Sequence, residues 1–358
     1  MAADKSMADP QMAFGVLKDS FTRAADRCGA SICETHYIFA GQAARFRIVG
    51  TNLFGQIHQP FAHPKIDNEP LRTQKLTVEL WDQQYTGVIC QIGSMQENCL
   101  ASSPMFQVSA DGRFAFKQTR HSTICLDRKN RHMVGCMSGA AMISLYERGR
   151  PLHGPLNLWH NDQDSPVIHA GLISRDGHGV LVAGSSGAGK STSTLTCVDA
   201  GFDYLSEDLT ALQGSSANSF FGHSIYNSAH LETHHLTRFP SLVPFAIKGR
   251  SPMEDKFLIL LSQVYPERLR RDTEITAVAL PRVVQADKSR IRPASKAETL
   301  LALAPSSLIM PQLSAGMQGF QKLVTLVEHV PCYWLELGRE LSEIPHRVDE
   351  LIESAIGV

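Results

Sequence analysis

No strongly apolar run in the sequence is longer than "FLILL" at residues 257–261, whereas a bilayer-spanning helix needs roughly 20 predominantly apolar residues in a row. A membrane span is therefore not expected. Net charge is equally scarce: Lys+Arg 34 against Asp+Glu 35 leaves −1, so there is no electrostatic reason to expect nucleic acid or an anionic membrane as a partner. The first residues hold Asp4, Lys5 and Asp9 without an apolar stretch, so a secretory signal is not expected and the cytoplasm is the expected compartment. No Cys-x-x-Cys pair occurs among the 8 cysteines, at 28, 33, 90, 99, 125, 136, 197 and 332. They read as reduced, mostly buried thiols and not as a disulfide frame.

What is present is ordinary globular composition: 358 residues, 43% hydrophobic and 19% charged, enough for two domains with real cores. The expected class is α/β. Residues 1–34 read as an N-terminal extension with a short, loosely packed helical pattern (Phe14, Leu17, Phe21). Residues 35–150 read as a β-rich accessory or substrate-docking domain. "ARFRIVG" and "KLTVELWD" alternate apolar and polar residues at the strand period, and "MFQVSADGRFAFKQ" is a hairpin turning at Asp111-Gly112. "AMISLYERGRP" fits a strand or a short helix, and "PLHGPLNLWHNDQDSP" a connector. From 151 to 358 strands and helices mix, implying a sheet flanked by helices. "VIHAGLISRDGHGVLVAG" is a second hairpin, turning at Asp176-Gly177, and "STSTLTCVDAG" is a short helix stopped by Gly201. "FDYLSEDL", "ITAVALPRVV" and "CYWLELG" follow as strands. "KAETLLALA", "GMQGFQKLVTLVEHV" and "IPHRVDELIESAI" follow as helices.

The segment "GSSGAGKST" at 184–192 satisfies G-x-x-x-x-G-K-[ST] in full, a pattern that arises by chance in roughly one chain in a hundred of this length. Its chemistry explains its spacing. Gly184, Gly187 and Gly189 let backbone N–H groups converge on phosphate oxygens, with Ser185, Ser186, Ala188 and Thr192 completing the cradle. The following helix adds the positive end of its dipole. Lys190 reaches the β and γ phosphates of a nucleotide and the Ser191 hydroxyl ligates Mg²⁺. Glu207 and Asp208 follow after one short helix and one strand, so they should emerge beside the loop, one holding metal and the other accepting a proton. A strand end running into a helix N-cap is the alternative for Ser206, Glu207 and Asp208. His169, in the strand before the loop strand, is a candidate third group or a satisfied core histidine.

Together these residues resemble the HPr kinase/phosphorylase family and related bacterial serine kinases, whose catalytic domain is akin to that of phosphoenolpyruvate carboxykinase. The resemblance runs over "VIHAGLISRDGHGVLVAGSSGAGKSTSTLTCVDAGFDYLSEDLTAL". It is softer through "EDKFLIL", "ALAPSSLI" and "VPCYWLELG". It implies a C-terminal P-loop kinase domain of that type, with Glu207 as proton acceptor, Asp208 with Ser191 on metal, and His169 near the transferred phosphate. The family's usual Asp-Asp is Glu-Asp here. No counterpart of its glycine-rich, arginine-bearing segment follows, so neither the phosphorylase reaction nor HPr as substrate is implied.

Lys256 reads as an exposed lysine or as a second cation at the phosphates. His223, His230, His234 and His235 include an i, i+4 pair that a helix could offer to zinc, but no familiar ligand pattern completes it. "ERLRRD" reads as a solvated face. The expected function is an ATP- and Mg²⁺-dependent kinase acting on a hydroxyl, Ser or Thr of a protein or peptide. A small-molecule hydroxyl kinase and a nucleotide-hydrolysing switch are the alternatives. Acceptor identity and homo-oligomer formation are left open by the sequence.

Overall fold

The structure, a computed structural model, describes residues 9–66, 74–92, 105–214, 219–250, 255–307 and 315–357. Cys99 and parts of "EDKFLIL" and "ALAPSSLI" lie outside them. The chain forms two compact units, Met1–Gln59 with Lys65–Trp159, and Pro60–Pro64 with His160–Val358.

The first unit opens with helix α1 (Pro10–Arg27), started by the Asp9 side chain, which accepts from Gln11 N. Ala13, Leu17, Phe21 and Ala24 recur at helical spacing and are buried in one core with Val49, Trp81, Phe116 and Val134. The loosely packed short helix expected from the sequence is thus a long, well-anchored one, because its apolar stripe is continuous. The strands are β1 (Ile32–Phe39), β2 (Gln42–Val49), β3 (Lys65–Ile66), β4 (Gln74–Asp82), β5 (Met105–Val108), β6 (Phe114–Gln118), β7 (Ser122–Asp127) and β8 (His132–Met137). They form an 8-stranded sheet in the order β3-β1-β2-β4-β8-β7-β6-β5. The β2–β4 and β4–β8 pairs are parallel, and β5–β6 is the hairpin expected around Gly112, which takes φ +72°. Glu79, on β4, is buried but meets Arg47 at 2.6 Å and His132 at 2.8 Å. Burial works to raise its carboxyl pKa; the two partners outweigh that and hold it below the usual range. Helices α2 (Thr51–His58), α3 (Gln83–Thr86) and α4 (Leu145–Gly149) are short connections.

The proline-bearing stretch read as a connector is helix α5 (His153–Asp162), with Leu156, Leu158 and Trp159 buried. Pro155 falls in its first turn, where a missing N–H costs nothing. Composition therefore misled at this point.

The second unit is built on β9 (Val167–Arg175) and β10 (His178–Ala183), an antiparallel hairpin whose turn residues Asp176 and Gly177 both take positive φ. Helix α6 (Lys190–Asp199) follows, then β11 (Asp203–Ser206), β12 (Leu209–Gly214) and β13 (Phe220–Ser224). A separate 3-stranded sheet holds β14 (Ser228–Glu232), β15 (Ile247–Lys248) and β16 (Lys256–Leu260), with short helices α7 (Thr233–Leu236) and α8 (Leu261–Val264). The remaining elements are β17 (Asp272–Val283), β18 (Arg290–Pro293), α9 (Lys296–Ser307), α10 (Ala315–His329), β19 (Cys332–Leu337) and α11 (Glu343–Ile356). The main sheet runs β10-β9-β12-β13-β17-β19-β18, and β10 also pairs with β17, so the first five close upon themselves.

Period-two alternation sorts β10 between two cores. Val180 and Val182 share one with Leu195 and Val198 of α6 and Val348 and Leu351 of α11. Leu181 and Ala183 share the other with Leu172 and Ile275, together with Leu303 of α9 and Leu323 of α10. A mixed α/β architecture results, with helices on both faces of the sheet. No helix among the described residues is long and apolar enough to cross a membrane. Among the cysteines, 125, 136 and 197 are buried and 28, 33, 90 and 332 are half-buried, all as free thiols.

Removing a side chain inside the closed set of strands should leave a cavity. Leu172→Ala, at a fully buried position, is expected to cost about 2–5 kcal/mol in a urea unfolding titration. Leu301→Ala, at a position 74% exposed on α9, should change stability by less than about 0.5 kcal/mol.

Candidate functional site

The site is assembled by the two-sided pairing of β9. On one side Ala170 stands opposite Ala183 of β10, which brings His169 level with Gly184 at the start of the glycine-rich loop. On the other side His169 stands opposite Leu209 of β12, the residue after Asp208. Farther along, β9 pairs with β11 instead. The turn between β11 and β12 therefore carries Glu207 and Asp208 to the same end of the sheet as the loop.

That turn is tightly made. Ser206 Oγ donates to Leu209 O at 2.8 Å and accepts from the backbone N–H groups of Asp208 and Leu209 at 3.2 and 2.9 Å. Because a strand follows it, the acids do not start a helix, and the helix-cap alternative falls away. Gly171 on β9 allows the close approach: a Cβ there would lie 2.7 Å from Thr194 Oγ1 and 3.1 Å from Glu207 O.

The loop joins β10 to α6. Gly184, Gly187 and Gly189 take φ of +156°, +79° and +108°. Gly189 is the residue before the helix, and its missing side chain matters twice, since a Cβ there would also collide with Leu337 Cδ1. Lys190 and Ser191 occupy the first turn of α6. Lys190 Nζ donates to Gly184 O at 2.8 Å and Ser185 O at 3.2 Å. Burial lowers the pKa of this ammonium from the ordinary lysine range, and the negative charges of Asp208 and Glu207 oppose that shift.

The acids divide between two partners. Ser191 Oγ donates to Glu207 Oε1, and His169 Nε2 pairs with Asp208 Oδ1. Glu207 is 5% exposed, whereas the His169 side chain is 34% exposed and that of Asp208 16%. The site thus has an inner pair beside the helix start and an outer pair open to solvent. The sequence places Asp208 beside Ser191; here the acid bonded to Ser191 Oγ is Glu207, and Asp208 pairs with His169.

Other candidates are elsewhere. Lys256 is exposed on β16, opposite Glu232. His223 sits on β13, its Nε2 hydrogen-bonded to Gln213 Oε1 at 3.0 Å, and burial lowers its pKa. His230 is on strand β14 and His234 on helix α7, so the helical i, i+4 pair does not form. From "ERLRRD", Arg270 bonds Asp203 at 3.0 Å and Arg268 bonds Gly201 O at 2.8 Å. Leu337 carries no sequence signal for the site, because it reaches Gly189 from a distant strand; Gly171 stands on β9 itself, and its packing against Thr194 and Glu207 shows only in the fold.

No family model and no curated protein matches the chain. One similar solved structure is titled as the Hpr(Ser) kinase/phosphatase from Coxiella burnetii. It is 14% identical, covers 53% of this chain and 93% of its own, and superposes with a TM-score of 0.26. So slight a likeness carries no weight for the chemistry, which rests on the residues above.

Gly189→Ala should disturb the loop through both backbone and contact. The expected loss is about 1–3 kcal/mol, as for an overpacked core site. Gly187→Ala, whose Cβ meets nothing within 4 Å, should show only the left-handed backbone cost of about 1–2 kcal/mol. Urea midpoints of the two variants decide it.

Proposed function

We propose that this site binds ATP with Mg²⁺ and transfers the γ-phosphoryl group to a hydroxyl, that of Ser or Thr in a protein or peptide. The observation that carries the reading is the convergence of Lys190, Ser191, Glu207, Asp208 and His169 at one strand–loop–helix junction. The donor set suits the ligand. Ser191 and Glu207 offer hard oxygen atoms in contact with each other, as Mg²⁺ prefers, and the positive-φ glycines leave main-chain N–H groups free of side-chain cover. Bound nucleotide supplies the transferable group, and bound Mg²⁺ neutralises its charge.

The protein's own residues have distinct tasks. Lys190, held by two loop carbonyls, supplies a pre-positioned cation in a site largely shielded from water. Ser191 and Glu207 form the metal-side pair. Asp208 accepts the proton of the acceptor hydroxyl, and His169 orients its carboxylate from the solvent side. This division exchanges the roles expected from the sequence, following the Ser191–Glu207 and His169–Asp208 contacts. Acceptor docking is assigned to the β-rich first unit, which contains none of these residues.

The direct test is incubation with γ-labelled ATP and cell extract. Label in a protein band supports the reading. Label in a small molecule reassigns the acceptor, and label only in free phosphate rejects transfer. Lys190→Ala should abolish labelling while the melting curve stays within a few degrees of the parent.

The two acids separate kinetically. Asp208→Asn should slow single-turnover transfer by roughly 10²–10⁴-fold with an unchanged Mg²⁺ requirement. Glu207→Gln should raise the Mg²⁺ concentration needed for half-maximal transfer. The opposite pattern would return proton transfer to Glu207.

A further inference from the structure

A second cluster of ligating side chains lies outside this site, where β14 ends and α7 begins. Glu232 is the last residue of β14, and His234 and His235 stand in the single turn of α7. One ligand atom from each of the three lies within 4.8 Å of the others. The His234 Nδ1 to Glu232 Oε2 distance is 3.4 Å. Two donors on a tetrahedral ion with bonds of about 2.0–2.1 Å stand roughly 3.3–3.4 Å apart, so this pair already spans one edge of such a site. The i, i+4 pair that the sequence offers to zinc, His230 and His234, does not form, and the cluster joins His235 and Glu232 to His234 instead.

The scaffold beneath the cluster is firm. Leu231 and Leu236, flanking it in sequence, are 1% and 6% exposed within the core shared with Phe239 and Leu242. The backbone carbonyls of both histidines are engaged: His234 O accepts from Thr237 Oγ1 at 2.9 Å and His235 O from Arg238 N at 3.0 Å. The His234 side chain is 65% exposed, so an ion could enter from solvent.

From this geometry we infer that Glu232, His234 and His235 form a transition-metal site, with zinc-class ions as ligand and an open fourth position. The donor set selects the ion. Two imidazoles and one carboxylate suit Zn²⁺, Ni²⁺ or Cu²⁺, whereas Mg²⁺ and Ca²⁺ require several oxygen ligands. The site is therefore chemically separate from the oxygen-rich pair at Ser191 and Glu207, and the two ions do not compete. Lys256, opposite Glu232 across the strand pair, and Arg238, in the segment that follows α7, both bring positive charge to His235. That charge moderates the affinity without removing a donor.

The probe is Co²⁺, whose visible absorption is intense when the ion is tetrahedral, followed by displacement with Zn²⁺. The full-length protein should give a one-equivalent Co²⁺ spectrum that Zn²⁺ removes and excess Mg²⁺ does not. His234→Ala and His235→Ala should each weaken Zn²⁺ binding by roughly 10-fold or more, at least the loss seen when outer partners of a metal site are removed. Glu232→Gln should do the same, and all three variants are at half-buried or exposed positions. Absence of a Co²⁺ spectrum, displacement by Mg²⁺, or Zn²⁺ affinity unchanged in both histidine variants overturns the site. The last result would assign the ion to thiols or to other histidines.

Discussion

The candidate site depends on the two-sided pairing of β9. Its partners are β10 on one edge and β12 followed by β11 on the other. Strand register is all-or-none in its effect on side chains, because a slip of one residue turns every side chain to the opposite face. A slip between β9 and β10 would take His169 away from the loop, and a slip between β9 and β12 would take Asp208 away from His169. The registers are held by burial: Ile168, Ala170 and Leu172 enter one core while Ile173 enters the other. Hydrophobic sorting along one strand thereby sets the positions of polar groups drawn from three segments of the chain.

Those polar groups work against stability. Lys190 and Glu207 are 7% and 5% exposed, and desolvating a charge costs several kcal/mol unless partners offset it. For Lys190 the two carbonyls and the nearby carboxylates offset part of that cost. Its lowered pKa is the remaining penalty. The unfolded chain binds this proton more tightly than the folded one, so the penalty is complete only at pH values below the lowered folded pKa, where both states hold the proton. It eases only as pH rises through the lowered folded value toward the ordinary 10.5. The Lys190 ammonium at the helix start suits an anionic ligand, and the proposed nucleotide is one.

Glu79 in the first unit shows the contrasting case. It is also buried, yet Arg47 and His132 meet both of its oxygens, and its pKa is held low. Burial of charge alone therefore does not mark a site. What distinguishes the second unit is that a buried ammonium and a buried carboxylate stand beside a loop whose backbone is kept bare by glycine.

Sequence alone determined what short-range sterics and periodicity control. Asp176-Gly177 and Asp111-Gly112 could be read as turns because positive φ is a local demand, and the strands flanking them alternate at period two. The glycine-rich loop and its following helix were legible for the same reason, as was the approach of an acidic pair one strand later. Pro155 of α5 was misleading because a helix's first turn tolerates proline, and Leu156 and Trp159 give that helix a buried face. Tertiary structure decided what depends on long-range register. It paired Glu207 with Ser191 and Asp208 with His169. It set Gly171 of β9 against Thr194 and Glu207, brought Leu337 to Gly189 from a strand far along the chain, and put Glu232 near His234 and His235 where a strand meets a helix. The contacts of Gly171 and Leu337 have no local sequence signal, because they are fixed by how separate segments pack.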